Sequence, residues 1–90
     1  MIYEYPAIIK YEHKDSFYYV DFPDISGCFT DGLTLNEALE NAGDALNTIL
    51  SYYESKGYEI QQPRNINNIR LGIGEIVTII RANTEFFIAV

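Results

Sequence analysis

Cysteine and histidine each occur only once among the 90 residues, and bases are scarce. A lone cysteine, Cys28, cannot close an internal disulfide, so a reducing, intracellular setting is expected. Basic residues number 6 against 13 acidic ones, a formal net charge of −7. Such a surface repels phosphate backbones, so no direct nucleic-acid binding is expected of this chain. The same charge keeps the protein soluble and speeds its encounter with a basic partner. No apolar run approaches the ~18–20 residues of a membrane span. The start, Met1-Ile-Tyr-Glu-Tyr-Pro6, has neither the basic head nor the apolar centre of a signal peptide. Together these shortages point to a cytoplasmic protein without a membrane partner.

What the chain does have is ordinary globular material, 48% hydrophobic by residue. Its length suits one domain, 1–90, able to bury ~60–65% of its unfolded surface around a single core. Residues 3–12 are rich in aromatic and β-branched side chains and predict a first strand, with Pro6 near its start or on a side without ladder bonds. The polar run 13–16 suits a hairpin loop, and residues 17–22 predict a second, antiparallel strand. Pro23 and Asp24 end it, Gly27 allows a tight turn or bulge, and residues 28–31 form a short third strand ended by Gly32.

Thr34 followed by Glu37 fits a capping box: the threonine oxygen accepts from the Glu37 amide and the glutamate reaches back to the Thr34 amide. Leu33 and Ala38 stand at the positions of a hydrophobic staple. A helix is predicted from Leu35 to Lys56, with Gly57 as its left-handed cap. Ala38, Ala42, Ala45, Leu46, Ile49 and Tyr53 form its apolar stripe, and the small alanines let it sit close on a sheet. Glu40, Asp44, Asn47, Ser51 and Glu54 fall on or near its wetted side. Gly43 weakens it by about 1 kcal/mol relative to alanine. A polar connection over 61–68 leads to a last strand over 75–81, and Phe86–Val90 suit a short terminal strand or tail.

The order β-β-β-α-β predicts an α+β domain of two layers. Three strands form a meander, the fourth lies beside the first, and one long helix covers one face. A strand–helix–strand crossover ordinarily returns parallel to an existing strand, so a mixed sheet is expected. One helix covers only one face, yet the strands are bulky in both phases. Tyr18, Val20 and Phe22 share one face of the second strand, while Phe17, Tyr19 and Asp21 share the other. An uncovered, tyrosine-rich face is expected, with Phe17, Tyr19 and Asp21 as candidate interface residues and a homo-oligomer, a dimer or tetramer, as the outcome.

No catalytic set assembles from these residues. His13 sits in a predicted loop and reads as a solvated turn residue. Cys28 has no placed histidine to activate it and reads as a small buried apolar residue. Asp21, Asp24 and Asp31 are spaced without a D-x-D-x-D-G pattern, whereas hard cations need several oxygens converging within about 2.0–2.6 Å. Gly72-Ile-Gly74 precedes a strand rather than a helix, the wrong context for a phosphate cradle. No enzyme, metal or cofactor is expected, and a diverged magnesium nuclease built on the three aspartates is the weaker alternative.

At Phe22–Leu46 the sequence becomes more specific than a fold class. The runs Phe22-Pro-Asp-Ile-Ser-Gly-Cys28, Thr30-Asp-Gly-Leu-Thr34, Glu37-Ala-Leu-Glu-Asn-Ala42 and Ala45-Leu46 resemble the HicB-like antitoxin family. The resemblance covers residues 3–63 well and the last strand loosely, with Tyr58-Glu-Ile-Gln-Gln-Pro63 in the family's usual layout. It implies a partial ribonuclease-H-like fold without that fold's catalytic carboxylates. It also implies an antitoxin that binds and neutralises HicA, a small basic toxin that cleaves messenger RNA. Many members self-associate, and many carry a C-terminal DNA-binding segment; here the residues after Pro63 leave room for one strand and a short tail. Leu33 stands where the family commonly has an acid. Among the motif residues, Pro23, Asp24, Gly27, Cys28, Gly32, Thr34, Glu37, Ala38 and Ala42 are expected to shape turn, cap and packing rather than a reactive centre. The competing reading is a stand-alone homo-oligomeric regulatory or scaffold module without a toxin partner.

Overall fold

Alternation of side chains decides how the strands are used. In β1 (Ile2–Glu12) the odd-numbered Tyr5, Ala7 and Ile9 are buried beneath the helix, while Glu4 and Lys10 face the other way and are exposed. The computed structural model describes residues 1–86. β1 is followed by β2 (Phe17–Asp21), β3 (Phe29–Gly32), α1 (Leu35–Lys56) and β4 (Glu75–Asn83), with 3₁₀ turns at Ile66–Asn68 and Thr84–Phe86. The expected tail beyond Phe86 lies outside the described residues.

The sheet order is β3-β2-β1-β4, so the fourth strand does lie beside the first. Every pairing among these strands is antiparallel, which corrects the expected mixed sheet. The reason lies in the path after the helix. At about 1.5 Å per residue, the 22-residue α1 is ~33 Å long. It carries the chain back to the N-terminal end of β1, where Tyr3 donates a 2.7 Å hydrogen bond to Glu54. The connection 58–74 then retraces the sheet: the Tyr5 hydroxyl donates to the Gln61 carbonyl, Arg64 pairs with Asp24, and Glu75 arrives opposite Lys10. This second reversal cancels the first, and β4 enters from the far end. Pro6 sits beyond the end of the β1–β2 ladder, which spans only Ile8–Glu12, so its missing N–H costs nothing on that side.

The helix begins as its sequence dictates. Thr34 Oγ1 accepts from the Glu37 amide at 3.1 Å, while the Glu37 carboxylate accepts from the Leu33 amide at 3.4 Å, one residue earlier than the capping box predicted. Leu33 remains exposed and Ala38 is fully buried, so the predicted staple adds little burial. Gly57 closes the helix in the left-handed conformation at φ 68°. The buried line runs Ala38, Ala42, Leu46 and Leu50, with Ala45, Ile49 and Tyr53 half-buried on its flank. Asn47 and Ser51, expected on the wetted side, are half-buried. Gly32 lies against the first turn, and a Cβ placed on it would sit 2.7 Å from Ala38 Cα.

Candidate interaction surfaces

The residues shared by turn and helix form the joint of the scaffold. After Phe22 and Pro23 the chain turns through Gly27 at φ 75°, and the Phe22 amide donates to the Cys28 carbonyl at 3.0 Å, closing the loop. Asp24 is buried inside it, accepting from the Arg64 backbone amide at 3.1 Å and from Arg64 Nε at 2.6 Å. An otherwise costly buried carboxylate thereby ties the long connection to the turn. The Cys28 thiol is buried, and burial followed by the charge of Asp21 pushes it up to about 11, away from nucleophilic use at neutral pH.

The three aspartates once considered as a carboxylate cluster have separate fates. Asp24 is consumed by Arg64, whereas Asp21 and Asp31 stand on the outer sheet face in different rows of the β2–β3 ladder. Burial, then the neighbouring Glu75, raise Asp21 above the ordinary carboxylate range. Among the described residues, no three histidine, cysteine, aspartate or glutamate side chains form a group able to hold a metal ion. His13 is exposed in its loop, edge-on to Tyr11 at 4.8 Å between ring centroids.

The face of the sheet away from α1 carries the residues expected for an interface. Phe17 and Asp21 are half-buried there and Tyr19 is 37% exposed, stacked against Phe29 of β3 at 6.1 Å. The pairing rows continue the patch across Ile8 and Val77 to Ile79, while Lys10 lies between Tyr19 and Glu75, and Glu4 opposes Arg81. Phe29, Ile79 and Ile2 are all exposed at 44% or more. Apolar side chains laid in a band with both signs of charge between them make a surface suited to protein contact.

A second feature, not anticipated from sequence, opens at the sheet edge. Gly27, Cys28 and Phe29 face Ala45, Thr48, Ile49 and Tyr52 across a cleft of about 500 Å³. Ala45 and Ile49 were read as part of the core stripe; they line this cleft because the buried line of the helix runs obliquely past them. The sequence signal that was available is the surplus of apolar positions on α1 over what one stripe can bury.

The described residues form a two-layer, antiparallel α+β fold with apolar surface on its outer sheet face and at its edge cleft. Comparison with known proteins makes this specific. The family described as HicB_like antitoxin of bacterial toxin-antitoxin system matches residues 5–80, and the chain belongs to that family. Antitoxin HicB 2 of Photorhabdus laumondii subsp. laumondii is 42% identical over 55 residues, which are 61% of this chain and 40% of that protein. The chain thus spans well under half the length of this curated relative. Among solved structures, a toxin-antitoxin complex from Streptococcus pneumoniae superposes with a TM-score of 0.86 at 22% identity, covering 94% of this chain and 71% of the other. A HicA3 and HicB3 toxin-antitoxin complex gives a TM-score of 0.69 at 26% identity, covering 92% and 99%. None of the helices among the described residues is long and apolar enough to cross a membrane.

Proposed function

We propose that this protein is an antitoxin that neutralises a HicA-type, messenger-RNA-cleaving toxin by direct protein–protein contact in the cytoplasm, without catalysis of its own. The observation that carries this reading is the family match over residues 5–80, supported by similarity to chains solved within toxin–antitoxin complexes. The charge gives it a physical basis. A chain of net charge −7 steers a basic ribonuclease toward itself and, once bound, covers the surface that would otherwise hold RNA. The outer sheet face around Phe17, Tyr19 and Asp21 serves self-association, so the working species is a homo-oligomer.

The test is direct. Purified protein in molar excess over the toxin encoded beside it is expected to abolish messenger-RNA cleavage and to co-elute with that toxin. Full toxin activity under those conditions would refute the reading. For self-association, wild type is expected to sediment above monomer mass and Tyr19→Glu as a monomer; a wild type that is itself monomeric would refute that part.

A further inference from the structure

Edge strands present unpaired backbone groups, and β3 is an edge strand. In an antiparallel ladder alternate residues turn both N–H and C=O toward the same neighbour. The Cys28 carbonyl points inward, to the Phe22 amide, so by alternation Thr30 and Gly32 also face β2 while Phe29 and Asp31 face off the sheet. Asn41 Nδ2 of α1 donates to the Asp31 carbonyl at 2.9 Å and so occupies one of these outward groups. Among the described residues, the Phe29 N–H and C=O and the Asp31 N–H face away from β2 without a backbone partner, on the edge that borders the cleft.

The cleft itself supplies what an added strand needs. Its helix side is apolar at Ala45 and Ile49, Phe29 borders it on the strand side, and the exposed Thr48 and Tyr52 stand at its far wall. Two acids stand near it: Asp44 precedes Thr48 by one helical turn, its carbonyl accepting from the Thr48 hydroxyl at 2.8 Å, and Asp31 lies on the outer face of the edge strand, paired with Tyr19. The nearby cation, Lys56, lies beyond Tyr52 with its ammonium 5.8 Å over that ring. A second copy of this chain, itself at −7, would bring acid against acid here.

We propose that the free edge of β3, beside the cleft, receives an extended segment of the toxin as a fifth strand, with alternate aliphatic side chains entering the cleft on the helix side and lysine or arginine side chains meeting Asp31 on the outer side. This rests on the antitoxin reading above and assigns the surface that performs it. Backbone pairing to Phe29 and Asp31 would give affinity, and the alternate side chains specificity.

The experiment follows amide hydrogen exchange in the full-length protein, alone and bound to the toxin encoded beside it. In the complex the Phe29 and Asp31 amides are expected to slow by about 100-fold or more, as newly paired strand amides do. Thr48→Arg, which fills the cleft wall with bulk and positive charge, is expected to weaken toxin binding by at least ~10-fold while leaving the thermal melt unchanged. Ile79→Glu, on the outer face of β4 at the opposite edge of the sheet, is expected to leave toxin affinity within about threefold, since distant sites act independently. A complex that forms while both amides exchange as before overturns this assignment and leaves the antitoxin reading intact. Protection that appears without toxin and grows with protein concentration overturns it in favour of pairing between copies. Absence of any complex overturns both.

Discussion

Replacing Gly32 with alanine tests the joint between sheet and helix, because Gly32 is kept small by space. Its backbone lies outside the left-handed region, so alanine is permitted there conformationally. The added Cβ, however, would sit 2.7 Å from Ala38 Cα and 2.9 Å from the Glu37 carbonyl carbon, and closer still to the Ala38 nitrogen. All three are backbone atoms of the first helical turn, which cannot swing aside as a side chain can. Overpacking of a tight interior costs about 1–3 kcal/mol. Pushing the first turn away also strains the Thr34 cap, worth about 1 kcal/mol, so the expected loss is about 2–4 kcal/mol. For a domain of this size that lowers Tm by roughly 10–30 °C. Gly43→Ala is the matched control: nothing lies within 4 Å of its Cβ, and it occupies a helix interior. It is expected to stabilise by about 0.5–1 kcal/mol. Urea unfolding followed at the helical circular-dichroism band measures both. A Gly32→Ala loss below about 1 kcal/mol, or a Gly43→Ala loss of any size, would show that the packing reasoning is wrong.

Asp24→Ala removes both acceptors of Arg64 and is expected to cost about 2 kcal/mol by urea midpoint, less than a fully buried pair because the Arg64 side chain is 45% exposed and regains water. The connection 58–74 should then be cut faster in limited proteolysis, and an unchanged midpoint would refute the clamp. Asp21→Asn is expected to raise stability at pH 7. Its folded-state carboxyl binds its proton more tightly than the unfolded one, so its cost is full above the folded pKa and gone below about pH 4. Equal melts of the two proteins at pH 7 would count against that burial. Phe29→Ala, because Phe29 both stacks on Tyr19 and lines the cleft, is expected to lower self-association and toxin affinity together, each read by sedimentation and by titration against the toxin.

Local signals in this chain were legible, and long-range ones were not. Thr34 and Glu37 lie within one turn, and Gly57 needs only its own backbone angles, so cap and stop could be read from adjacent residues. The facing of Tyr18, Val20 and Phe22 against Phe17, Tyr19 and Asp21 followed from a period of two, which no distant contact alters. The direction of β4 depended instead on Asp24 meeting Arg64 and Tyr5 meeting Gln61, partners 40 and 56 residues apart. Nothing in either neighbourhood announces the other. The expected stripe included Ala45, Ile49 and Tyr53, which are only half-buried, and omitted Leu50; the fully buried line Ala38, Ala42, Leu46 and Leu50 is an i+4 ridge inclined to the helix axis. That inclination swings the later turns across the sheet, burying Leu50 and turning Ala45 and Ile49 out to the cleft.

The obliquity of the helix and the shortage of bases together divide the surface. The helix packs on the end of β3 at its first turn, where Gly32 meets Ala38, and leaves the beginning of β3 open beside Ala45, Thr48, Ile49 and Tyr52. The outer face mixes Lys10 and Arg81 among its acids, so one copy can oppose another there with charges matched across a two-fold axis. The edge of β3 offers Asp31 on its outer side, and pairing two copies of this edge would bring like charges together, so it selects a cation-bearing strand. The short edge strand and its outward Asp31 therefore do two things at once: they discourage indiscriminate strand addition, and they admit a basic partner that can neutralise the acid. An acidic protein assembled from one sheet and one helix can in this way place self-association on its outer face and partner capture at its β3 edge, the two meeting where Phe29 and Asp31 adjoin Tyr19.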